Sequence, residues 1–306
     1  MRTKAEVIAL GSFDGVHLGH QTILRRTQEL ARKCSSAPAV MTFDPLPAQF
    51  VQPDFTYVLT PLAEKAALLV ELGLELIHVV RFDETVQRLA PERFIEQFLL
   101  PLQPCAVVVG HDHRFGHKGK GDVRLLEAVL LPLDVKVEVV PEFMLHDAPV
   151  RSTRIRERLL LGDVARAGEL LGRPYSLSGP VVSGSGTGRR LGFPTVNLSI
   201  REREKLVPAD GVYACRVSLG GKDLPAAVNI GHRPTFGGST RTIEAHVLDA
   251  RLDCVPATAR FSFVERLRPE RRFASPDELK EHISADVDLA RAVLGPRNRQ
   301  GPASSP

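Results

Sequence analysis

The ten residues GSFDGVHLGH, Gly11–His20, hold the side chains best suited to chemistry in this sequence. His17 and His20 are three residues apart, so on a helix both imidazoles lie on one face. The glycines of this stretch, which begins with Gly11, let the backbone approach a ligand closely. The stretch lies between an apolar run and an amphipathic pattern, which predicts a turn at a helix N-terminus, where backbone N–H groups favour phosphate. The histidine pair could instead bind a metal or be structural, and Asp14 could orient an imidazole or cap the helix.

A second polar segment, RSTRIR, covers residues 151–156 at the predicted start of another helix. Ser152 and Thr153 are suited to cap that helix. Together with free amides and Arg156, the same hydroxyls would also suit an anion such as a leaving pyrophosphate. The loop GHDHRFGHKGKG, residues 110–121, fits a solvated basic loop and a binding loop equally well.

The second half of the chain offers oxygen donors beside a glycine-rich loop. The glycines of that loop are Gly184, Gly186 and Gly188. No helix follows them, so they are not a dinucleotide fingerprint, and alone they indicate a turn more than a phosphate loop. Thr195 and Asn197 follow on one face of a predicted strand, and two such oxygens plus substrate phosphates suit Mg²⁺.

Glu244, in the segment TIEAH, has two interpretations. It could be an ordinary exposed carboxylate on a strand. It could also be the base that takes a proton from a hydroxyl group attacking a γ-phosphate.

The elements that must position these residues change in type partway along the chain. In the first half, strands are predicted at residues 7–10, 39–43, 76–80, 106–109 and 136–140. Helices are predicted between these strands, at residues 17–32, 61–72 and 91–100, and after the last of them, at 152–161. The second helix is predicted to bury Leu62, Ala66, Leu69 and Val70. Apolar strands alternating with helices predict an α/β, Rossmann-like domain with a parallel sheet covered on both faces, and sites beyond the carboxyl ends of its strands.

Short alternating strands follow, at residues 175–182, 213–219, 224–230, 243–248 and 259–267. The pair Gly220-Gly221 predicts a hairpin, and Ser275 with Glu278 predicts a capping box at the start of a last helix. We therefore expect a small antiparallel β-barrel with a C-terminal helix. The predicted domains are 1–171 and 172–295, with a disordered tail at 296–306.

Composition narrows the class of protein. The 306 residues are 43% hydrophobic, enough for packed cores, and the net charge of +4 comes from 40 basic and 36 acidic residues interspersed with one another. The four cysteines form no CxxC pair, which argues against a zinc cluster or a disulfide framework. No apolar stretch approaches a membrane span. We expect a cytoplasmic protein with small-molecule substrates and neither a nucleic-acid nor a membrane partner, as a monomer or weak homo-oligomer.

Taken together, the motifs resemble the bacterial bifunctional riboflavin kinase/FAD synthetase family. The resemblance runs from Gly11 to about Leu294, and its opening stretch resembles the GxFDGxHxGH signature of nucleotidylyltransferases. The other motifs, in order, are TFDP, LTPLAEK, DHRFG, STRIR, LLGRPY, GRRLGFPTVN, GVYA, NIGHRPTF and IEAH.

The resemblance implies two activities that use ATP and Mg²⁺. An amino-terminal FMN adenylyltransferase would convert FMN and ATP to FAD and pyrophosphate, and a carboxy-terminal riboflavin kinase would convert riboflavin and ATP to FMN and ADP. On the transferase side, the residues implied for ATP and its phosphates are Gly11, Phe13, Asp14, His17, His20, Asp112, Ser152, Thr153 and Arg156. On the kinase side they are Gly184, Gly186 and Gly188 for phosphates, Thr195 and Asn197 for magnesium-ATP, Glu244 as base and Arg268 near the flavin.

The sequence departs from the family pattern at four places. Leu46 stands where a histidine is usual, His113 where an aromatic residue is usual, and Ser183 where a histidine is usual. The segment Asp253–Ala257 lacks the usual Tyr-Gly. None of these positions carries a residue assigned above to chemistry.

Two alternative functions stay open on the sequence. The first is a nucleotidylyltransferase for another phosphate or alcohol, fused to the same kinase. The second is a flavin-binding or nucleic-acid-binding regulator without catalysis, against which Glu244 and PTVN argue. Comparing the adenylylation of FMN with that of other acceptors tests the first alternative. A salt-dependent affinity for DNA would favour the second alternative.

Overall fold

The structure, a computed structural model, describes residues 5–52, 54–183, 193–235, 238–249, 256–271 and 273–295. The predicted tail, 296–306, lies outside these residues, as do Gly184, Gly186 and Gly188. By its contacts the chain divides into two compact units, Met1–Arg154 and Ile155–Pro306.

The first unit contains a five-stranded parallel sheet. Its strands are β1 (Glu6–Leu10), β2 (Ala37–Asp44), β3 (Leu76–Arg81), β4 (Pro104–Gly110) and β5 (Lys136–Val140), and a small hairpin follows as β6 (Met144–Leu145) and β7 (Ala148–Pro149). Its helices are α1 (Leu18–Lys33), α2 (Pro47–Val51), α3 (Leu62–Glu71), α4 (Glu84–Arg88), α5 (Pro91–Phe94) and α6 (Val123–Leu130). The strand order is β3-β2-β1-β4-β5, so the direction of progression reverses at β1. In sheets of this kind ligands bind at that reversal, beyond the carboxyl ends of the strands.

Strand β1 is buried on both faces, as its continuous apolar run predicts. Ile8 packs on one face with Val107 of β4, and Ala9 packs on the other with Leu24 of α1. Helices therefore cover both sides of the sheet, and the predicted parallel layer is confirmed.

Helix α3 differs from its predicted packing. Val70 is 62% exposed, whereas Lys65 is only 1% exposed and shares the inner face with Leu69. The amphipathic pattern predicted the helix but misplaced its inner face, because the site beneath α3 is polar and attracts an ammonium group. Likewise, the helix predicted at 91–100 is α5 followed by a π-helical turn, Ile95–Leu99, and a 3₁₀ turn.

The second unit is a closed barrel with helices at both ends of its sequence. Helix α7 (Ser152–Leu160) crosses the boundary between the units and is followed by α8 (Val164–Leu171). The barrel strands are β8 (Tyr175–Val182), β9 (Thr195–Leu198), β10 (Gly211–Leu219), β11 (Lys222–Thr235), β12 (Gly238–Val247) and β13 (Thr258–Pro269). They close in the order β10-β11-β12-β9-β8-β13. The paired strands are antiparallel, which confirms the predicted barrel.

The last helix, α9 (Pro276–Leu294), packs on the outside of this barrel. Its Val287 and Ala290 share a cluster with Ala214 of β10 and Ala227 of β11. Ser275 caps the helix by accepting the N–H of Glu278 at 3.2 Å, as its spacing predicts.

Candidate active sites

A cavity of about 370 Å³ lies in the first unit, at the carboxyl ends of β1, β4 and β5. Its walls come from the signature loop, Gly11–His20, and from residues 110–114, 140–143 and 150–152. The cavity thus lies at the reversal of strand order, where ligands bind in α/β sheets.

His17 and His20 lie face to face in the wall of this cavity. Their ring centroids are 3.6 Å apart with an angle of 17° between the planes. His17 is the N-cap residue of α1, and its Nδ1 accepts the backbone N–H of His20 at 3.2 Å. A ring nitrogen that accepts such a bond carries no proton, so neutral His17 is the Nε2–H tautomer and retains an N–H donor. Gly19 leaves space for this ring, because a Cβ there would lie 3.2 Å from Cε1 of His17.

Gly11 and Phe13 also line the cavity. The backbone N–H of Gly11 donates to the carbonyl of Met41 at 3.1 Å, which fixes the start of the loop against β2. The ring of Phe13 is buried and meets the ring of His20 edge-on, with centroids 5.3 Å apart. Phe13 therefore packs the loop against the imidazole of His20.

Asp14 lies behind the cavity wall instead of in it. It is 3% exposed, and its carboxylate accepts the backbone N–H groups of Leu59 at 2.9 Å and of Thr60 at 3.0 Å. Because His17 caps α1, Asp14 does not cap that helix. The N-cap of α3 is Pro61, and the hydroxyl oxygen of Thr60 accepts the N–H of Gly15 at 2.8 Å.

The remaining residues implied for the transferase are divided between two places. Asp112 and Ser152 line the cavity, and the Ser152 hydroxyl donates to the backbone carbonyl of Asp14 at 2.9 Å. Thr153 is exposed and is not among the lining residues. Arg156 lies further along α7, beyond the boundary between the two units.

The loop after β4 contributes a neutral imidazole to the cavity wall. Burial lowers the pKa of His113 to about 4, although the charge of Asp112 opposes this shift. The ring stacks on Phe115 with centroids 5.8 Å apart, and its buried Nε2 has no hydrogen-bond partner among the described residues. Residues 110–114 of the predicted basic loop therefore belong to the cavity.

In the second unit, two residues implied for the kinase, Asn197 and Glu244, lie opposite each other on adjacent strands. Thr195 and Asn197 of β9 pair with His246 and Glu244 of β12, respectively. Glu244 in turn lies opposite Asn229 of β11. Because directly paired residues share a face of a sheet, Asn197, Glu244 and Asn229 form a polar row across three strands.

Glu244 is partly exposed between two buried neighbours, Ile243 and Ala245, so its side chain lies on the outer face of the barrel. Its Oε1 accepts the hydroxyl of Thr242 at 3.2 Å. His246, on the same face, has its Nδ1 3.1 Å from the carbonyl of Pro194, the residue before Thr195. The sequence did not single out His246, because its contact depends on the pairing of β9 with β12.

The donor atoms on β9 suit Mg²⁺. Thr195 offers a hydroxyl oxygen and Asn197 an amide oxygen, and Mg²⁺ prefers oxygen ligands, including substrate phosphates. Among the residues that the structure describes, no group of three or more His, Cys, Asp or Glu side chains could hold a metal ion.

Arg268 forms a partly buried ion pair with Asp286 of the last helix. Its Nε and Nη2 donate to the two carboxylate oxygens of Asp286 at 2.8 and 2.7 Å. Its Nη1 donates to the carbonyl of Pro269, and its guanidinium lies over the ring of Phe273 at 5.6 Å. The arginine implied for the flavin therefore also holds α9 on β13.

Comparison with protein families gives two matches, one for each half of the chain. The family model for FAD synthetase matches residues 1–154, and that for riboflavin kinase matches residues 171–294. The bifunctional riboflavin kinase/FMN adenylyltransferase of Escherichia coli (strain K12) is 37% identical over 292 residues, covering 94% of this chain and 93% of that protein. The chain belongs to the bifunctional riboflavin kinase/FMN adenylyltransferase family.

Other relatives agree with this membership. The protein of the same description from Bacillus subtilis (strain 168) is 35% identical over 291 residues, covering 93% of this chain and 91% of that protein. A solved structure described as a macrolide-efflux protein from Streptococcus pneumoniae is 30% identical, with a TM-score of 0.86 over 94% of this chain and 95% of that one. It shares the fold over nearly the whole chain. Within the described residues, no helix is both long and apolar enough to span a membrane.

Family membership confirms the resemblance and both predicted activities. The FAD synthetase domain is amino-terminal and the riboflavin kinase domain is carboxy-terminal. Riboflavin, FMN and ATP are accordingly the substrates expected for this family.

Proposed function

We propose that the protein makes FAD from riboflavin in two ATP-dependent reactions, with phosphorylation in the barrel and adenylylation in the first-unit cavity. The observation that carries this assignment is the stacked pair His17 and His20 at the start of α1, inside that cavity. The paired residues of β9 and β12 support the kinase assignment in the same way.

In the adenylylation, a phosphate oxygen of FMN attacks the α-phosphorus of ATP. The bond from that phosphorus to the bridging oxygen of the β-phosphate breaks, and pyrophosphate leaves. His17 and His20 donate hydrogen bonds to phosphate oxygens on which negative charge accumulates, and the start of α1 adds its positive dipole end. Gly11, Phe13 and Asp112 contact the nucleotide, while Ser152, Thr153 and Arg156 serve the pyrophosphate side.

The sequence resemblance implies that Asp14 binds ATP or its phosphates, but in this proposal Asp14 positions the signature loop instead. Its carboxylate is occupied by the amides of Leu59 and Thr60, so it holds the signature loop in place. Its effect on ATP is then indirect, through the position of His17.

In the phosphorylation, Glu244 accepts the proton of the riboflavin hydroxyl as its oxygen attacks the γ-phosphorus of ATP, and ADP leaves. Thr195 and Asn197 would hold Mg²⁺ with ATP, and Gly184, Gly186 and Gly188 would contact the phosphates. Mg²⁺ held there would neutralise phosphate charge during transfer. Arg268 lies on the flavin side.

We also propose that residues 1–171 and 172–295 carry the two activities, with residues 155–171 adding stability to the second, and that the protein is cytoplasmic and acts without nucleic acid as a monomer or weak homo-oligomer. Light scattering coupled to gel filtration measures the oligomeric state. A tight complex with DNA at physiological salt would contradict the absence of a nucleic-acid partner.

The decisive experiment is incubation with riboflavin, ATP and MgCl₂, followed by chromatography of the flavins. We expect FMN first and FAD later, and neither product when EDTA replaces Mg²⁺. Supplying FMN directly should give FAD, while other phosphate acceptors should give no adenylylated product. Failure to adenylylate FMN, with another acceptor used instead, would favour a transferase of different specificity.

A further inference from the structure

The signature loop has an unfavourable backbone conformation that something else must maintain. Phe13 has φ of 51° and Val16 has φ of 43°. Residues other than glycine rarely adopt a positive φ, and for a β-branched residue such as valine this conformation is a clear outlier. Such conformations persist where the surroundings over-determine them, which is common at functional sites.

Lys65 of α3 provides one such constraint, because its side chain contacts the backbone of the loop. Its Nζ donates to the carbonyl of Ser12 at 3.1 Å, to the hydroxyl of Thr42 at 3.0 Å and to the carbonyl of Phe43 at 3.2 Å. An ammonium group has three N–H donors, so all of them are used. The Thr42 hydroxyl donates in turn to the same Ser12 carbonyl at 3.0 Å, which ties the loop to the end of β2.

The charge of Lys65 is compensated locally. Lys65 is 1% exposed, and the negative charges acting on it are those of Asp14 in the loop and Asp44 at the end of β2. Burying an ammonium group is costly unless it is hydrogen-bonded and paired, so this position selects a lysine for its three donors and not for apolar packing.

We propose that Lys65 is a positioning residue for adenylyl transfer, which sets the signature loop and thereby the place of His17 and His20. Lys65 itself is not among the cavity-lining residues, whereas Ser12, to which it donates, is one of them. Its effect on catalysis therefore passes through the backbone of the loop. This inference rests on the proposed function, since it assumes that adenylylation takes place in the first-unit cavity.

The same contacts give the transferase a dependence on pH. Burial lowers the pKa of Lys65 to about 8, although Asp14 and Asp44 oppose the shift. Above that pH the neutral amine has two N–H donors for three acceptors, so one loop contact is lost. FAD formation should then decline above pH 8, and the decline should be absent in a chain without this lysine.

The test uses the full-length chain with Lys65→Met, which keeps the length of the side chain and removes its donors. We expect kcat for FAD formation from FMN to fall by roughly 10- to 100-fold, because small misplacements of catalytic groups have effects of this size. KM for ATP should change less than kcat, and FMN formation from riboflavin by the same chain should be unaltered. Lys33→Met, at an exposed lysine of the same unit, is the matched control and should leave both rates unchanged.

Two further measurements keep the proposal testable if Lys65→Met does not fold. Thr42→Val removes the hydroxyl with little change of shape and should lower kcat for FAD formation roughly 3- to 10-fold. In the unaltered chain, the ratio of FAD-forming to FMN-forming kcat should fall with a midpoint near pH 8. A folded Lys65→Met chain with kcat within twofold of wild type, or a ratio constant from pH 7 to 9.5, would overturn the inference. Unchanged FAD formation in His17→Ala and His20→Ala would instead show that the proposed site is wrong.

Discussion

His17 combines two functions in one side chain. Its Nδ1 completes the start of α1 by accepting the N–H of His20, and its other ring nitrogen is left with the proton. The local spacing predicted the pair, since both residues lie within one helical turn. It could not predict which nitrogen serves the helix, because this depends on the backbone at the N-cap.

Replacing His17 by asparagine separates these functions. Asparagine is a good N-cap, so His17→Asn should keep the helix start while removing the Nε2–H donor. We expect FAD formation to fall on the order of 10²–10³-fold, with FMN formation and the thermal midpoint of unfolding nearly unchanged. His17→Ala, which also loses the cap, should be destabilised by about 1 kcal/mol as well. Near-normal FAD synthesis in His17→Asn would leave the imidazole with a capping role alone.

Glu244→Gln tests the kinase base. The amide keeps the size of the side chain and a hydrogen bond to Thr242, but it cannot accept the proton of the riboflavin hydroxyl. We expect kcat for FMN formation to fall ~10²–10⁴-fold, with the affinity for magnesium-ATP close to normal and FAD formation from supplied FMN intact. A loss of nucleotide affinity with little change in kcat would identify Glu244 as a metal-side ligand.

The hydrogen-bond partners of other residues were beyond sequence reasoning, because those partners are distant along the chain. Asp14 is held by Leu59 and Thr60, and Arg268 by Asp286 of α9. Lys65 resembles an ordinary surface lysine in a helical pattern, yet the polar loop beneath α3 turns it inward. A single sequence contains no signal for such pairings.

Among the elements, strands and capped helices were the best predicted. The five parallel strands and the last helix have the predicted positions to within a few residues, since continuous apolar runs and a Ser275 cap are local signals. The strand order, with its reversal at β1, and the closure of the barrel depend on contacts between distant strands. The short helices α2, α4 and α6 have too few turns to show a clear period.

Helices α7 and α8 pack with the barrel strands, which bears on where the kinase domain begins. The N–H of Ala209 donates to the carbonyl of Leu159, and Arg266 donates to the carbonyl of Leu161. A Cβ at Gly162 would lie 2.8 Å from Arg266, so the turn between the helices fits closely against that side chain. Ala167 and Leu170 of α8 are buried.

We therefore predict that a fragment of residues 155–306 is more stable than one of residues 172–306. Removal of residues 155–171, which include most of α7 and all of α8, exposes apolar surface worth several kcal/mol, at about 1.5–3 kcal/mol for each large buried side chain. Both fragments should phosphorylate riboflavin without making FAD, and urea unfolding followed by fluorescence measures the difference. Equal stability of the two fragments would support a boundary at residue 172.

At the level of the whole molecule, each unit has its own core, so the two reactions should be independent. A mixture of chains carrying His20→Ala and chains carrying Glu244→Gln should make FAD from riboflavin, although neither chain does so alone. FMN made by the first chain would diffuse to the second. Chromatography over time should show free FMN before FAD, and a mixture that produces no FAD would contradict the independence of the units.

Because the barrel must close, the two units can complete their folds at different times during protein synthesis. Strand β8, which the ribosome makes first among the barrel strands, pairs with β13, which it makes last. The barrel cannot close before most of the chain has been translated, whereas the parallel sheet is complete once β5 has emerged. We therefore expect the unit that performs the second reaction to fold first. A message truncated before β13 would yield a protein that consumes FMN and cannot replenish it.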